Sequence, residues 1–234
     1  MNQSPTSSEK SDGSESLELT TAPLPPPPPS SLSLGVLDRD QIIKELLYID
    51  CCNTRPLSSS KEQDVILELS LGVWCNDVDE QFISSVTKNY KYIALSLKAG
   101  PIITPEVISL LSKYVSPKLV EITIIDCTHL TWQNHVRRIL EPANFVEIVN
   151  LQKNSWVDDY VVDQLSVKFA KTLKELNFEF TKITDNALFH VGRRCMNLRS
   201  LTVNCCPQVT TTIATTTIAT TTNNNIYIDI RYWV

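Results

Sequence analysis

Residues 173–210, LKELNFEFTKITDNALFHVGRRCMNLRSLTVNCCPQVT, decide how the chain folds. The stretch contains the pattern L-x-x-L-x-L twice, once from Leu173 and once from Leu198. Apolar and other residues alternate in this pattern, which predicts a short strand with one buried face. Between the two copies the apolar residues follow helical spacing. These helical residues are Ala187, Leu188, Val191 and Cys195. The stretch therefore predicts a strand, a helix and the strand of a second unit.

The same pattern recurs along the chain. Its six copies begin at Ile66, Tyr92, Leu119, Val146, Leu173 and Leu198. Successive copies start 26, 27, 27, 27 and 25 residues apart, and a period of about 20–29 residues is typical of leucine-rich repeats. One strand and one helix cannot bury their apolar faces alone, but stacked units can. The sequence predicts an α/β leucine-rich-repeat solenoid, a horseshoe with short parallel strands on its concave face and helices on its convex face.

Two further columns recur at the same period. The eighth residue after the start of a copy is Cys127, Asn154 or Cys206 in three units, and Trp74, Gly100 or Thr181 in the others. Three residues before the next copy the side chain is small or short. These residues are Asn89, Ser116, Ala143, Ala170 and Cys195. A small side chain there would let the helix lie close to the following strand.

The stretch 173–210 also carries three specific motifs. They are I-T-D-x-A-L from Ile183, C-x-N-L from Cys195 and C-C-P-x-V-T from Cys205. As a set they closely resemble the cysteine-containing repeats of F-box/LRR proteins and of the antagonist-of-mitotic-exit-network family. The resemblance covers roughly residues 65–210 and weakens upstream of Val146. It implies that the repeats are the substrate-recognition half of an SCF-type ubiquitin ligase, acting in ubiquitin-dependent protein turnover.

The chain departs from this family before its repeats. An F-box typically begins with Leu-Pro, continues through three helices and ends near a Trp, but here Leu37 precedes Asp38 and the first Trp is Trp74. Residues 38–50 predict one amphipathic helix, which we interpret as a cap on the solenoid; a degenerate F-box fragment is the alternative. Two functions follow: a recognition or regulatory module of a ubiquitin ligase, or a general protein-interaction scaffold with no ligase link.

Composition divides the chain into four segments. Residues 1–35 form a Ser- and Pro-rich tail that we expect to be disordered. Residues 36–64 hold the capping helix and a polar loop from Asn53, and residues 65–210 hold about six repeat units. Residues 211–234 form a low-complexity Thr- and Asn-rich tail, which predicts an array cut short near Thr210 and prone to aggregation. The run from Pro23 to Pro29 predicts a polyproline II helix, either a stiff spacer or a ligand for an SH3, WW or EVH1 domain.

Signals of catalysis and of other partner classes are absent. The five glycines form no phosphate-binding loop and no nucleophile elbow, and the spacing of Cys127, His129 and His135 fits no metal site. We expect no enzyme activity and no cofactor.

The net charge of −5 disfavours a nucleic-acid partner, and no apolar run approaches the length of a membrane span. No secretory signal is recognisable, so we expect a cytoplasmic or nuclear protein.

Two smaller expectations concern polar residues of the helices. We expect His190 to be exposed. Asp158 and Asp159 form an adjacent carboxylate pair at a predicted helix start, where their negative charges interact favourably with the helix dipole.

The repeat register selects the residues expected on the concave face. The position four residues after the start of each copy is polar and uncharged in all six units. Asn is disfavoured in strands, so Asn150 and Asn177 should bond either to a partner or to a side-chain ladder along the sheet. Ile125 and Ile148 offer an exposed apolar nucleus on neighbouring strands. The predicted partner-binding residues are Ser70, Ser96, Thr123, Ile125, Ile148, Asn150, Gln152, Asn177 and Glu179.

Overall fold

The computed structural model describes residues 51–56, 65–72, 78–98, 103–210 and 227–230. These residues form an α/β fold on one sheet of eight strands, which lie in the sheet in chain order. The strands are β1 (Cys52–Pro56), β2 (Val65–Leu71), β3 (Tyr92–Lys98), β4 (Leu119–Ile125), β5 (Ile148–Asn150), β6 (Glu175–Asn177), β7 (Ser200–Thr202) and β8 (Tyr227–Asp229). The β1–β2 pair is antiparallel and every later pair is parallel.

The six predicted strands are confirmed as β2 to β7. Their register places equivalent repeat positions side by side, as where Leu176 of β6 lies beside Leu201 of β7. Two strands differ from the expectation. The polar loop expected from Asn53 begins instead as strand β1, and the sheet extends beyond the expected end of the array at residue 210 to β8.

In the described part of the chain, five α-helices lie in the connections between successive strands. They are α1 (Glu80–Thr87), α2 (Pro105–Leu110), α3 (Arg137–Leu140), α4 (Asp159–Lys168) and α5 (Asp185–Arg194). A π-helical turn, Leu111–Val115, and a 3-10 turn, Ser116–Lys118, extend α2, and a π-helical turn, Trp132–Val136, precedes α3. Each helical segment begins after an Asp or Thr whose side-chain oxygen accepts a backbone N–H. These capping residues are Asp79, Thr104, Thr131, Asp158 and Thr184. None of the described helices has the length and apolar character needed to cross a membrane.

The core lies between the helices and one face of the sheet. Inward side chains of strands and helices form a single buried cluster, with Phe169 and Phe178 among its largest fully buried members. Leu176 is only 3% exposed, and the four predicted inward residues of α5 are all buried. The helices therefore cover one face of the sheet. The opposite face carries the half-buried polar residues of the strands, and none of the described helices covers it; we call it the uncovered face.

A left-handed residue ends the strand segment in four successive units. Asp126, Lys153, Phe180 and Cys205 have φ between 54° and 61° although none is a glycine. Sequence reasoning missed this turn because no glycine marks it. The backbone N–H of the first three donates to a carbonyl in the next unit, at Gln152 (3.3 Å), Glu179 (2.8 Å) and Asn204 (3.0 Å) respectively. The unusual backbone conformation thus continues the hydrogen bonding between units beyond the strands.

The recurring Cys or Asn column lies directly after this turn and is buried. Asn154 accepts from the backbone N of Cys127 (2.9 Å) and donates to the carbonyls of Ile124 (2.7 Å) and Leu151 (2.9 Å). Cys206 Sγ donates to the carbonyl of Phe178 at 3.1 Å. The column therefore satisfies backbone groups inside the fold, and Cys127 Sγ likewise donates to the carbonyl of Ile125 at 3.4 Å.

Several expectations concern residues outside the described ranges. They are the disordered segment 1–35, its proline-rich run, the capping helix 38–50 and the low-complexity stretch 211–226. The boundaries proposed for these segments stay predictions.

Candidate functional site: the uncovered face of the sheet

Polar side chains form a continuous row across the uncovered face. The strand register aligns Ser70 with Ser96, Ser96 with Thr123 and so on to β8. The row consists of Ser70, Ser96, Thr123, Asn150, Asn177, Thr202 and Asp229, all half-buried. Side chains that are neither buried in the core nor fully solvated offer hydrogen bonds to a bound chain at little desolvation cost.

A groove crosses the first three parallel strands of this face. It is a cavity of about 280 Å³, and its floor includes Ser70, Ser96 and Thr123. Ser96 Oγ is buried and has no hydrogen-bond partner among the described residues. A buried hydroxyl without a partner costs roughly 1–3 kcal/mol.

An arginine of β1 is ion-paired with two glutamates of the groove lining. Arg55 of β1 contacts Glu68 of β2 at 2.5 Å and also pairs with Glu121 of β4. The pairing spans β3, where Ala94 stands in line with the two glutamates. Burial raises the pKa of the Glu121 carboxyl above its ordinary value, and the Arg55 charge opposes that increase. Strand β1, which sequence reasoning missed, therefore supplies Arg55, the only cation that pairs with Glu68 and Glu121 among the described residues.

Asn150 and Asn177 do not form the side-chain ladder along the sheet, which was one of the two expected contacts. Asn150 Oδ1 accepts from the backbone N of Gln152 (3.2 Å), and Asn177 Oδ1 accepts from that of Glu179 (2.9 Å). Each side chain thus bonds its own turn and does not join a ladder along the sheet. No bond from either Nδ2 to another described residue is formed, so both amide groups can donate to a partner.

The remaining predicted residues are spread over the face. Ile148 pairs in register with Glu121, whereas Ile125 lies four residues further along β4. At about 3.3 Å per residue this separates the two isoleucines by roughly 13 Å. They do not form one apolar nucleus, although both are half-buried, as are Gln152 and Glu179.

The cysteine and histidine side chains of the described residues form no candidate metal site. Within the described residues no three His, Cys, Asp or Glu side chains are placed to hold a metal ion, and Cys127, His129 and His135 form no such group. His190 is half-buried beside Asp163 (3.4 Å) and is not exposed as expected.

The adjacent carboxylates at the start of α4 also have separate structural partners. Asp158 accepts from the backbone N of Val161 at 3.0 Å, which caps α4. Asp159 accepts from the backbone N of Thr184 at 2.7 Å and so links α4 to the cap of α5. Neither carboxylate faces the uncovered face.

Comparison with models of known protein families gives no match, and comparison with curated proteins gives none either. The motifs of residues 173–210 therefore carry the family resemblance by themselves, and the function is argued from the residues.

Proposed function

We propose that this chain is a leucine-rich-repeat solenoid of the cysteine-containing type that acts as a non-catalytic protein-binding scaffold. The uncovered face of the sheet, the concave face of such a solenoid, is its binding surface. The observation that carries the proposal is the row of half-buried polar side chains from Ser70 to Asp229, aligned by register across seven parallel strands. The amides of Asn150 and Asn177 are donors available to a bound chain.

Affinity capture with variants of the full chain tests this proposal. Thr123→Lys combined with Ile148→Lys places two charges on adjacent strands of the uncovered face. Val167→Lys combined with Asn186→Lys makes the same charge change at exposed helix positions. Partners captured by the parent chain should be lost with the first variant and kept with the second, because unpaired charges in an interface are costly. Equal capture by both variants would place binding elsewhere.

Within this class we propose a recognition or regulatory module of SCF-type ubiquitin-dependent turnover. The support is the resemblance of the motifs in residues 173–210, an argument by analogy with a family. The alternative, a scaffold with no ligase link, is favoured by the absence of Leu-Pro at Leu37 and of a Trp before Trp74.

The predicted helix 38–50 separates these two functions. If it contacts the ligase core, Leu46→Asp with Leu47→Asp should abolish recovery of a cullin or its adaptor and leave stability unchanged. If it caps the repeats, the same change should lower the melting temperature, because charges would replace buried apolar side chains. We expect destabilisation and no stoichiometric recovery of ligase-core subunits.

A further inference from the structure

A second pocket lies away from the uncovered face, at the edge where β5, β6 and β7 begin. It is an open cavity of about 560 Å³ whose lining includes Phe145, Lys171, Lys174 and Arg199. Lys174 and Arg199 occupy the same repeat position in successive units, one residue after Leu173 and Leu198. The repeat therefore places cations side by side along one edge of the sheet.

The charge of this pocket is mostly unneutralised. Among the described residues of its lining the one carboxylate belongs to Glu147, which is 7% exposed and pairs with Lys174 at 2.6 Å. Lys171 and Arg199 are exposed and form no ion pair with a described residue. The lining thus keeps two unpaired positive charges in a chain whose net charge is −5.

Other contacts hold the walls of the pocket in place. Thr172 Oγ1 donates to the carbonyl of Val146 (2.7 Å), and Asn197 Nδ2 donates to that of Lys171 (2.7 Å). Phe145 adds an aromatic ring to the lining, and its side chain is 49% exposed. Arginine and aromatic side chains are enriched among the hot-spot residues that contribute most of the binding energy in protein interfaces.

We propose that this pocket binds an acidic peptide segment of a protein partner. Arg199 and Lys171 bind two of its carboxylates, Arg199 by paired N–H donors, and an apolar side chain of the segment packs on Phe145. The inference rests on the proposed scaffold function for the nature of the partner, but it assigns a second surface. Binding here is independent of the uncovered face.

Fluorescence anisotropy with a labelled peptide, EDELDE, tests the proposal on the full chain. Lys171→Glu with Arg199→Glu should weaken binding by about tenfold or more, because attraction becomes repulsion. Lys182→Glu with Arg193→Glu is the matched control, since both residues are exposed cations outside the pocket; it should change affinity by less than about twofold. Equal weakening by both pairs would show general charge attraction and overturn the proposal.

Further arms identify the ligand. The neutral peptide QNQLNQ should not bind, and Phe145→Ser should weaken EDELDE binding; binding of the neutral peptide would overturn the proposal. Lys171→Gln with Arg199→Gln removes the charges without repulsion and should still weaken binding if the Glu variant fails to fold. Thr123→Lys with Ile148→Lys should leave EDELDE binding unchanged, so failure of this site and failure of the uncovered face are distinguishable.

Two competing occupants have their own outcomes. Residues 1–35 contain Glu9, Asp12, Glu15 and Glu18. If neutralising these four side chains in the full chain raised the affinity for EDELDE by about tenfold, the chain's own segment would be the occupant and the proposal would fall. Displacement of the peptide by a uridine oligonucleotide at a lower concentration than by unlabelled EDELDE would assign a nucleic acid and also overturn it.

Discussion

At the residue scale, the fold depends on single polar side chains buried between units. Asn154 is fully buried, and its amide bonds backbone groups of both its own unit and the preceding one. Asn150, four residues earlier, is half-buried and accepts one bond in its own turn. The two asparagines look alike in the sequence, but the repeat register separates a structural position from one facing outward.

Asn154→Ala should therefore destabilise the fold far more than Asn150→Ala. The first change removes the buried bonds of Asn154 to the N–H of Cys127 and to the carbonyls of Ile124 and Leu151, and we expect a loss of about 2–4 kcal/mol. The second removes one half-buried bond and should cost about 0.5–1 kcal/mol. Urea denaturation of both variants measures the difference. Equal losses in the free energy of unfolding would show that the buried position of Asn154 does not hold the units together.

The cysteines should differ in reactivity according to burial. Burial raises the pKa of Cys195 to about 12, and it also raises that of Cys206. Because the thiolate is the reactive form, neither should be alkylated in the native protein at pH 8, whereas the half-buried Cys205 should react first among these three. Mass spectrometry of iodoacetamide-treated protein reads this out, with urea-unfolded protein as control. Alkylation of Cys195 as fast as Cys205 would contradict the packing.

At the element scale, the turn that follows each strand carries a backbone conformation that most side chains avoid. Lys153 has φ of 61°, where side chains cost about 1–2 kcal/mol and β-branched ones are least tolerated. Lys153→Gly should thus be more stable than Lys153→Val by about that amount, as thermal or urea unfolding would measure. Both variants lose the contact of Lys153 with the Phe180 ring, so that loss cancels. Val167→Gly is the control. Val167 lies inside helix α4, where glycine should lower the free energy of unfolding.

The stability that the contact between β1 and the rest of the sheet contributes should depend on pH. Because burial raises the pKa of Glu121, the folded state binds this proton more tightly than the unfolded state. The resulting stabilisation is full below the ordinary carboxyl pKa, about 4.3, and is lost as pH rises through the raised value. Arg55 limits the rise, so Arg55→Leu should raise the pKa of Glu121 further.

The cost of Arg55→Leu in free energy of unfolding should accordingly be larger at pH 7 than at pH 3.5. Urea denaturation at the two pH values measures it. Lys98→Leu is the control, because Lys98 is exposed on β3 and forms no ion pair with a described residue; its cost should not change in this way. A pH-independent cost of Arg55→Leu would mean that the Glu121 carboxylate does not need its partner.

The elements that sequence reasoning recovered are those with a local periodic signal. Strands β2 to β7 each contain the repeated apolar pattern, and the inward residues of α4 and α5 follow helical spacing. Strand β1, CNTRP, has no such pattern and forms through its antiparallel pairing with β2. A signal for β8 was present, since Ile228 and Ile230 lie 27 residues after Leu201 and Val203. A seventh copy of the pattern would begin at Asn225, where the other copies have an apolar residue. This Asn and the Thr-rich stretch before it concealed the signal.

The candidate site was predictable in part for a related reason. Register fixes which side chains share a face, so the polar row from Ser70 to Thr202 could be read from the repeats. The role of Arg55 could not, because it depends on a strand outside the repeat pattern. The basic pocket also escaped notice, since it combines residues that precede the strands of three different units.

At the scale of the whole molecule, each unit contacts mainly its neighbours, so the two ends of the sheet decide where unfolding starts. At one end β8 covers β7. Val203 N donates to the carbonyl of Asp229 (3.0 Å), Tyr227 N donates to that of Arg199 (2.9 Å), and Ile228 packs against the core. These contacts argue that β8 stabilises β7, although the composition of residues 211–234 had predicted an array cut short near Thr210.

Deleting residues 211–234 should therefore expose β7 and lower its stability without unfolding the units far from the cut. We expect hydrogen exchange to show lost protection in β7, and then in β6, while β2 to β4 keep theirs, because local stability in a stacked array depends on nearest neighbours. Deleting residues 1–35 is the control and should leave exchange in every described strand unchanged. Unaltered protection of β7 after the first deletion would mean that β8 contributes nothing to the array. Loss of protection in all strands together would mean instead that the sheet unfolds as one cooperative unit, since no single interface between units could then open alone.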